Sequence, residues 1–337
     1  IRDRTTTQSD EIFSLTQTGT PEKEFQEEGD TMPLVRSDLL SLMEAGLRTE
    51  FFRAYRQLSE SSITPRIATI VRTNLPTQKY GWLGSVPTMR EFVDERVPVG
   101  LRVFEYAISD QVWEASIAID RRALEDEQYD MIRMRVQDLA LEAVRHREQL
   151  VINALLTNGM GYDGKPLFNT NHEEGESGVQ SNILNGALAT ETLQDAIAQM
   201  MSIKDDRGRP MGIIPDTLLV GPALQWLAME LLESPVVVQV NTTGNFTPYR
   251  NVLQGKLRLV VSPYITGADA EKWFLLDTSR AVRAVILQER RDVPLEFAAL
   301  DRPTSESVFM RDKVFYGVRA RYGVGYGLWQ TILMGTG

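Results

Sequence analysis

Val308–Trp329, VFMRDKVFYGVRARYGVGYGLW, carries no proline and is rich in β-branched, aromatic and basic residues. From Val314 onward, Val314, Tyr316, Val318, Ala320, Tyr322 and Val324 fall on one face of an extended chain. Phe315, Gly317, Arg319, Arg321 and Gly323 fall on the other. That period of two predicts a β-strand, and the run far exceeds the usual strand of about six residues. A strand of such length crosses from one domain into another or serves an assembly.

The 337 residues suit one large domain or two moderate ones, and 42% hydrophobic content is enough for a real core. No apolar run reaches the roughly 18 residues of a bilayer span, so no membrane segment is expected. The start, IRDRTTTQSDEIF, lacks the apolar centre of a signal peptide. It opens at Ile1 rather than methionine, which raises the expectation of proteolysis from a longer precursor. Without cysteine there is neither a disulfide nor a thiolate metal site. The formal net charge of −10 argues against indiscriminate nucleic-acid binding by the whole surface.

Residues 1–33 are polar and acidic, too poor in apolar residues to build a core, and read as an extended arm. Leu39, Leu40, Met43, Leu47, Phe51, Phe52 and Tyr55 recur at helical spacing, predicting a helix over Ser37–Ser59. Between Ile63 and Val103, Pro65, Pro76, Pro87 and Pro98 separate short strand-like pieces, which suits a long hairpin excursion. Lys79–Ser85, with its glycines, reads as the tip. Phe104–Ile119 alternates as a strand. Glu127–Thr157 is the strongest helix, a rod of roughly 42 Å. Val136, Leu139, Val144 and Val151 lie on its apolar side, and Asn158-Gly159 is its stop. Gly159–Gly186 reads as loop, and Thr190–Lys204 as an amphipathic helix capped by Thr190. Short strands follow at Thr217–Val220, Arg258–Ser262, Trp273–Asp277 and Val282–Leu287. A helix opens at Pro222, and Val236–Gly255 reads as loop.

Candidate chemistry is thin. His172, beside Glu173, Glu174 and Glu176, is the one hint of a hydrolytic metal site, but the ligand set zinc needs is missing and a solvated loop is the expectation. His146, between Arg145 and Arg147, reads as a helix-surface residue. The GxG pieces at Gly159–Gly161 and Gly323–Gly327 lack the strand–loop–helix setting of a phosphate loop; in the terminal strand, glycine suits a bulge or a close backbone approach. Glu125, Asp126 and Glu127 suit the positive end of the long helix. Arg145–Arg147 and Arg290/Arg291 read as ion-pair partners rather than a nucleic-acid site. No catalytic residue, metal or cofactor is therefore expected. Tyr80 and Trp82, large aromatics in a segment with little local core, point to a contact on another subunit, joined by Lys79 and Leu83.

Several stretches are family-specific: YGWLG (Tyr80–Gly84), REFVDERV (Arg90–Val97), YDGKPLFNTNH (Tyr162–His172), KDDRGRP (Lys204–Pro210), LLVGPAL (Leu218–Leu224), VVSPY (Val260–Tyr264) and the C-terminal run. With these the chain resembles the Mu-like phage major head protein family, the gpT type. The resemblance implies an α+β protein of the Hong Kong 97-like capsid fold. It divides the chain into an N-terminal arm and helix (1–62), an extended E-loop hairpin (63–103) and a first part of the peripheral (P) domain (104–185). An axial (A) domain (186–282), returning P-domain strands (283–322) and a C-terminal segment re-entering the A domain (323–337) follow. The Glu127–Thr157 helix becomes the spine. Function and partners follow from the same resemblance: a non-enzymatic shell protein forming hexamers and pentamers of an icosahedral head. A portal, decoration or scaffold proteins, and double-stranded DNA held without sequence-specific contact would accompany it, in a virion assembled in the host cytoplasm. Some related shells link an E-loop lysine to a P-domain asparagine. Asp292–Ser307 has no asparagine, so that chemistry is not carried over to Lys79. An encapsulin-like or gene-transfer shell, and more distantly a hydrolase using the His172 loop, are the competing readings.

Overall fold

The computed structural model describes residues 36–83, 103–122, 129–240, 246–292, 295–302 and 305–337. The proposed arm, REFVDERV and Glu125–Glu127 lie outside them.

The long strand organises the molecule. Strand β13 (Lys313–Tyr326) takes β4 (Gln111–Asp120) antiparallel along one edge, from Lys313↔Asp120 to Tyr322↔Gln111. Its other edge is shared: β12 (Leu295–Leu300) pairs with Phe315–Ala320, and β11 (Val285–Arg290) pairs with Tyr322–Tyr326. Strand β1 (Ala68–Thr73) completes this sheet, parallel to β11. Fourteen residues are needed because one strand serves three neighbours. Val314, Tyr316, Val318, Ala320 and Tyr322 are buried, as the alternation requires, whereas Arg319 on the opposite face is exposed.

Two helices cover that buried face. Helix α1 (Arg36–Ser61) leads through the short α2 (Thr64–Ile67) into β1, and α3 (Tyr129–Thr157) is the long rod. Leu47 and Phe51 of α1 meet Ile132, Val136, Leu139 and Ala140 of α3 over Phe297, Tyr316 and Val318. Further along α3, Val151, Ile152 and Leu155 join a second, larger apolar cluster. The helix thus ties two cores together. It stops at Asn158, whose φ of 51° is left-handed. The Asn158 side chain donates to Phe168 O and accepts from Phe168 N at 2.7 Å.

Past Tyr326 the chain turns at Trp329–Thr331 and enters a second sheet as β14 (Ile332–Thr336). Its order is β5 (Ile183–Asn185), β14, β10 (Trp273–Leu276), β6 (Thr217–Val220), β9 (Arg258–Val261). Every residue of β6 and β10 is buried, the mark of strands covered on both faces. Helices α4 (Thr190–Met201) and α5 (Gln225–Glu233) pack on this sheet.

Several local expectations change. Val308–Arg311 is not strand: α6 (Glu306–Arg311) occupies it and ends at Asp312, φ 51°, so the alternation begins only after that turn. Phe104–Ile119 is broken at Asp110 into β3 (Val103–Ser109) and β4. Val236–Gly255 contains a hairpin, β7 (Val236–Val240) with β8 (Phe246–Arg250). Ala189, not Thr190, caps α4, its N–H held by Thr192 Oγ1 at 2.9 Å. KDDRGRP forms a tight turn in which the Asp205 carboxylate accepts from Arg207 N, Arg209 N and the Arg209 guanidinium.

Candidate functional site

A hairpin leaves the first sheet. Strand β2 (Thr77–Leu83) pairs with β3 from Thr77↔Ser109 to Leu83↔Val103. Lys79, Tyr80, Trp82 and Leu83 therefore lie along a paired strand rather than at the tip. Gly84 and Ser85, the rest of the expected tip, lie outside the described residues. Gly81 misleads because it sits mid-strand opposite Glu105, where a glycine implies no turn. Lys79 Nζ is 3.1 Å from Glu105 Oε2, an exposed cross-strand pair of little energetic weight. The Tyr80 hydroxyl donates to Gln288 Oε1 of β11 at 3.1 Å, and burial pushes its phenol up to about 12. The side chains of Trp82 and Leu83 lie outside the described part.

The root of this hairpin is held to the body by residues the sequence reading passed over. Asp110 N donates to Pro76 O at 2.9 Å and closes the base. The buried Asp110 carboxylate faces two arginines: Arg321 Nε at 3.0 Å and Arg290 Nη1 at 3.7 Å. Arg290 also grips Asp292. Tyr106 Oη accepts from Tyr326 N at 3.2 Å, and Ile108 is buried against Gly325. One signal could have pointed here: the polar Ser109-Asp110-Gln111 interrupts an otherwise alternating strand.

The spine-helix residues Val136, Leu139, Val144 and Val151 are all buried. Of the basic residues, Arg147 and Arg290 form ion pairs within the chain. Arg147 donates to Tyr55 Oη at 2.7 Å and to Glu289, which Arg72 also approaches. His146 is not a free surface residue: its Nδ1 is 2.6 Å from Tyr322 Oη and its ring lies 4.4 Å from that of Trp113. Burial lowers its basicity, opposed by Glu142. These residues line a groove of about 880 Å³ between α1, α3 and the sheet.

The His172 loop is exposed at Glu173, Glu176 and Val179, but His172 itself is enclosed. His172 is 0% exposed, its Nδ1 sits 2.6 Å from Asp163 Oδ2, and its ring stacks on Trp329 at 4.0 Å and 4°. Beside it the buried Glu174 carboxylate accepts from Trp329 Nε1 at 2.9 Å, from Gln330 Nε2 at 3.0 Å and from the Tyr162 hydroxyl. Closed off by its own neighbours, this cluster locks the C-terminal segment onto the loop and presents no histidine to a substrate. Among the described residues no grouping of His, Asp and Glu could hold a metal ion, and no helix is long and apolar enough to cross a membrane.

Some large apolar side chains face outward. Trp226 on α5 is 72% exposed and Phe309 on α6 is 82% exposed, each with an exposed apolar neighbour in sequence, Leu227 and Met310.

Known proteins resemble this chain. A Mu-like prophage major head subunit from Haemophilus influenzae (strain ATCC 51907 / DSM 11121 / KW20 / Rd) is 27% identical over 267 residues, 78% of this chain. The major capsid protein of Escherichia phage Mu is 24% identical over 268 residues, 79% of this chain. The chain spans 63% of the length of each of these curated relatives. Among solved structures, the procapsid of bacteriophage JBD30 superposes with a TM-score of 0.50 at 23% identity, covering 88% of this chain and 75% of that one. The capsid of a native GTA particle gives 0.51 at 13% identity, covering 80% and 88%. The fold is therefore the Hong Kong 97-like capsid fold. The profile of the family described as Mu-like prophage major head subunit gpT matches residues 40–190, 184–265 and 265–336, and the chain belongs to that family.

Proposed function

We propose that this chain is a major capsid protein that self-assembles, as hexamers and pentamers, into the icosahedral head of a Mu-like tailed phage. The observation that carries this reading is the gpT head-subunit match from residue 40 to residue 336. In this reading residues 63–103 are the E-loop, 104–185 and 283–322 build the P domain around the spine helix, and 186–282 with 323–337 form the A domain. The hairpin strand residues Lys79, Tyr80, Trp82 and Leu83 contact a neighbouring subunit. The shell is not an enzyme. It encloses double-stranded DNA without reading its sequence, meets a portal and decoration or scaffold proteins, and is assembled in the host cytoplasm. The groups exposed on α5 and α6 support the reading, since a lone subunit gains nothing from showing water a tryptophan and a phenylalanine.

The test is the size of the purified protein by light scattering and electron microscopy. Closed, uniform shells are expected, and a folded particle of about 38 kDa alone would defeat the proposal. Trp82→Ala should leave the fold intact and weaken closure, because the loss of an interface aromatic repeats at every equivalent contact.

A further inference from the structure

The glycines of the terminal strand lie where another strand comes close. Gly323 and Gly325 lie on β13 where it runs on past the end of β4 and beneath the hairpin root. A Cβ on Gly323 would meet the carbonyl oxygen of Ser109, with Asp110 Cα behind it at 3.3 Å. A Cβ on Gly325 would sit 2.5 Å from Ile108 Cδ1 and 3.2 Å from the Tyr106 ring. Neither glycine has a left-handed φ, so the backbone does not require them. The space does. Together they form a side-chain-free slot across which β3 lies, and Asp110, between Arg321 and Arg290, pins the strand where it leaves the slot. Tyr80 to Gln288 and Tyr106 to Tyr326 N are struts on the same side.

We propose that the Gly323/Gly325 slot and the Asp110–Arg321–Arg290 clamp set the angle at which the hairpin leaves the subunit, and through it the geometry of the shell. This rests on the capsid reading above. A methyl group at Gly323 would push the Ser109 backbone back by roughly 1 Å to regain van der Waals distance. Turned about a neighbouring strand roughly 4.8 Å away, that is a rotation of about 10°. At about 3.3 Å per residue, the paired hairpin carries it into a displacement of roughly 4 Å at the Leu83–Val103 end. A shell built of copies joined through that hairpin cannot absorb such a shift at every contact and keep its curvature.

The experiment uses the full chain with Gly323→Ala, Gly325→Ala and Asp110→Asn, and with Gly317→Ala as control. Gly317 lies on the same strand, but a Cβ there meets only the Ser116 hydroxyl end at 3.0 Å. Amide exchange on unassembled subunits should rise at least tenfold in 77–83 and 103–109 for the slot and clamp variants, with the rest of the sheet unchanged. Their particles should shift in diameter or fail to close, while Gly317→Ala matches the parent. Exchange and particle size like the parent's in both Gly325→Ala and Asp110→Asn would overturn the proposal. If a glycine variant does not fold, Asp110→Asn, which keeps the side chain's shape, decides on the same terms. A parent chain that folds but never assembles defeats the capsid reading, and the exchange measurement still decides the clamp.

Discussion

Trp329→Phe probes the link between the C-terminal segment and the loop at 159–182. In the parent the indole stacks on His172 and gives its N–H to Glu174 Oε1 at 2.9 Å. Phenylalanine keeps a ring against the imidazole but removes the donor, and Glu174 retains only Gln330 and Tyr162. A hydrogen bond to a buried charged group is worth about 1.5–3 kcal/mol. The smaller ring leaves a void in a fully packed site, for which about 1 kcal/mol more is reasonable. The expected loss is roughly 2–4 kcal/mol in the unfolding free energy of the unassembled subunit, read from urea midpoints at unchanged slope. A double-mutant cycle with Glu174→Gln isolates the contact, because only the indole–carboxylate pair is shared between the two changes. A coupling of at least about 1 kcal/mol is expected; a value inside the roughly 0.3–0.5 kcal/mol of additive behaviour would refute the claim that this bond holds the segment down.

Other perturbations have equally definite outcomes. Val144→Asp places a carboxylate without a partner on the buried side of the spine helix and should cost several kcal/mol, with loss of soluble protein; an unchanged melting curve would show the helix face to be wrongly assigned. Glu50 links α1 to α3 through Gln137 and Arg133, and these, with Arg53 of its own helix foremost, hold its carboxyl down from 4.5 to about 2. A carboxyl with a lowered folded-state pKa contributes stability above about 4.5 that is lost as the pH falls towards 2, so Glu50→Gln should flatten the acid limb of the stability–pH curve. A variant curve that stays parallel to the parent's across that window would disprove it. Tyr80→Phe should remove one late-titrating phenol, near 12, from the ultraviolet titration and loosen the hairpin root by about 1 kcal/mol, and an unaltered titration would place the shifted group elsewhere.

How much was legible in the chain depended on how local the physics is. The alternation from Val314 to Val324 and the helical spacing along α3 arise within single elements, where the burial of every second or every third and fourth residue leaves its mark on composition. So the long strand and the spine helix could be read directly, with the buried faces on the correct side. Asn158 could be read as a stop for the same reason, since left-handed backbone favours it locally. Family motifs from YGWLG onward supplied the fold class.

The misplacements share one cause. Whether Gly81 is a turn or a paired strand residue depends on Glu105, and whether Asp110 breaks a strand depends on Arg290 and Arg321 far along the chain. His146 and His172 looked like surface residues because their neighbours in sequence are charged; Tyr322, brought in by the fold, half-covers His146, and Trp329 and Asp163 enclose His172. For the glycines at 323 and 325 a close backbone approach was legible in the sequence, but that the approaching strand is β3 appears only in the fold. Sequence by itself thus determined the long strand, the spine helix, their buried faces and the family. Only the tertiary structure decided which polar groups are enclosed, where the hairpin is anchored and what the glycines make room for, because each of those is a contact between residues the chain keeps far apart.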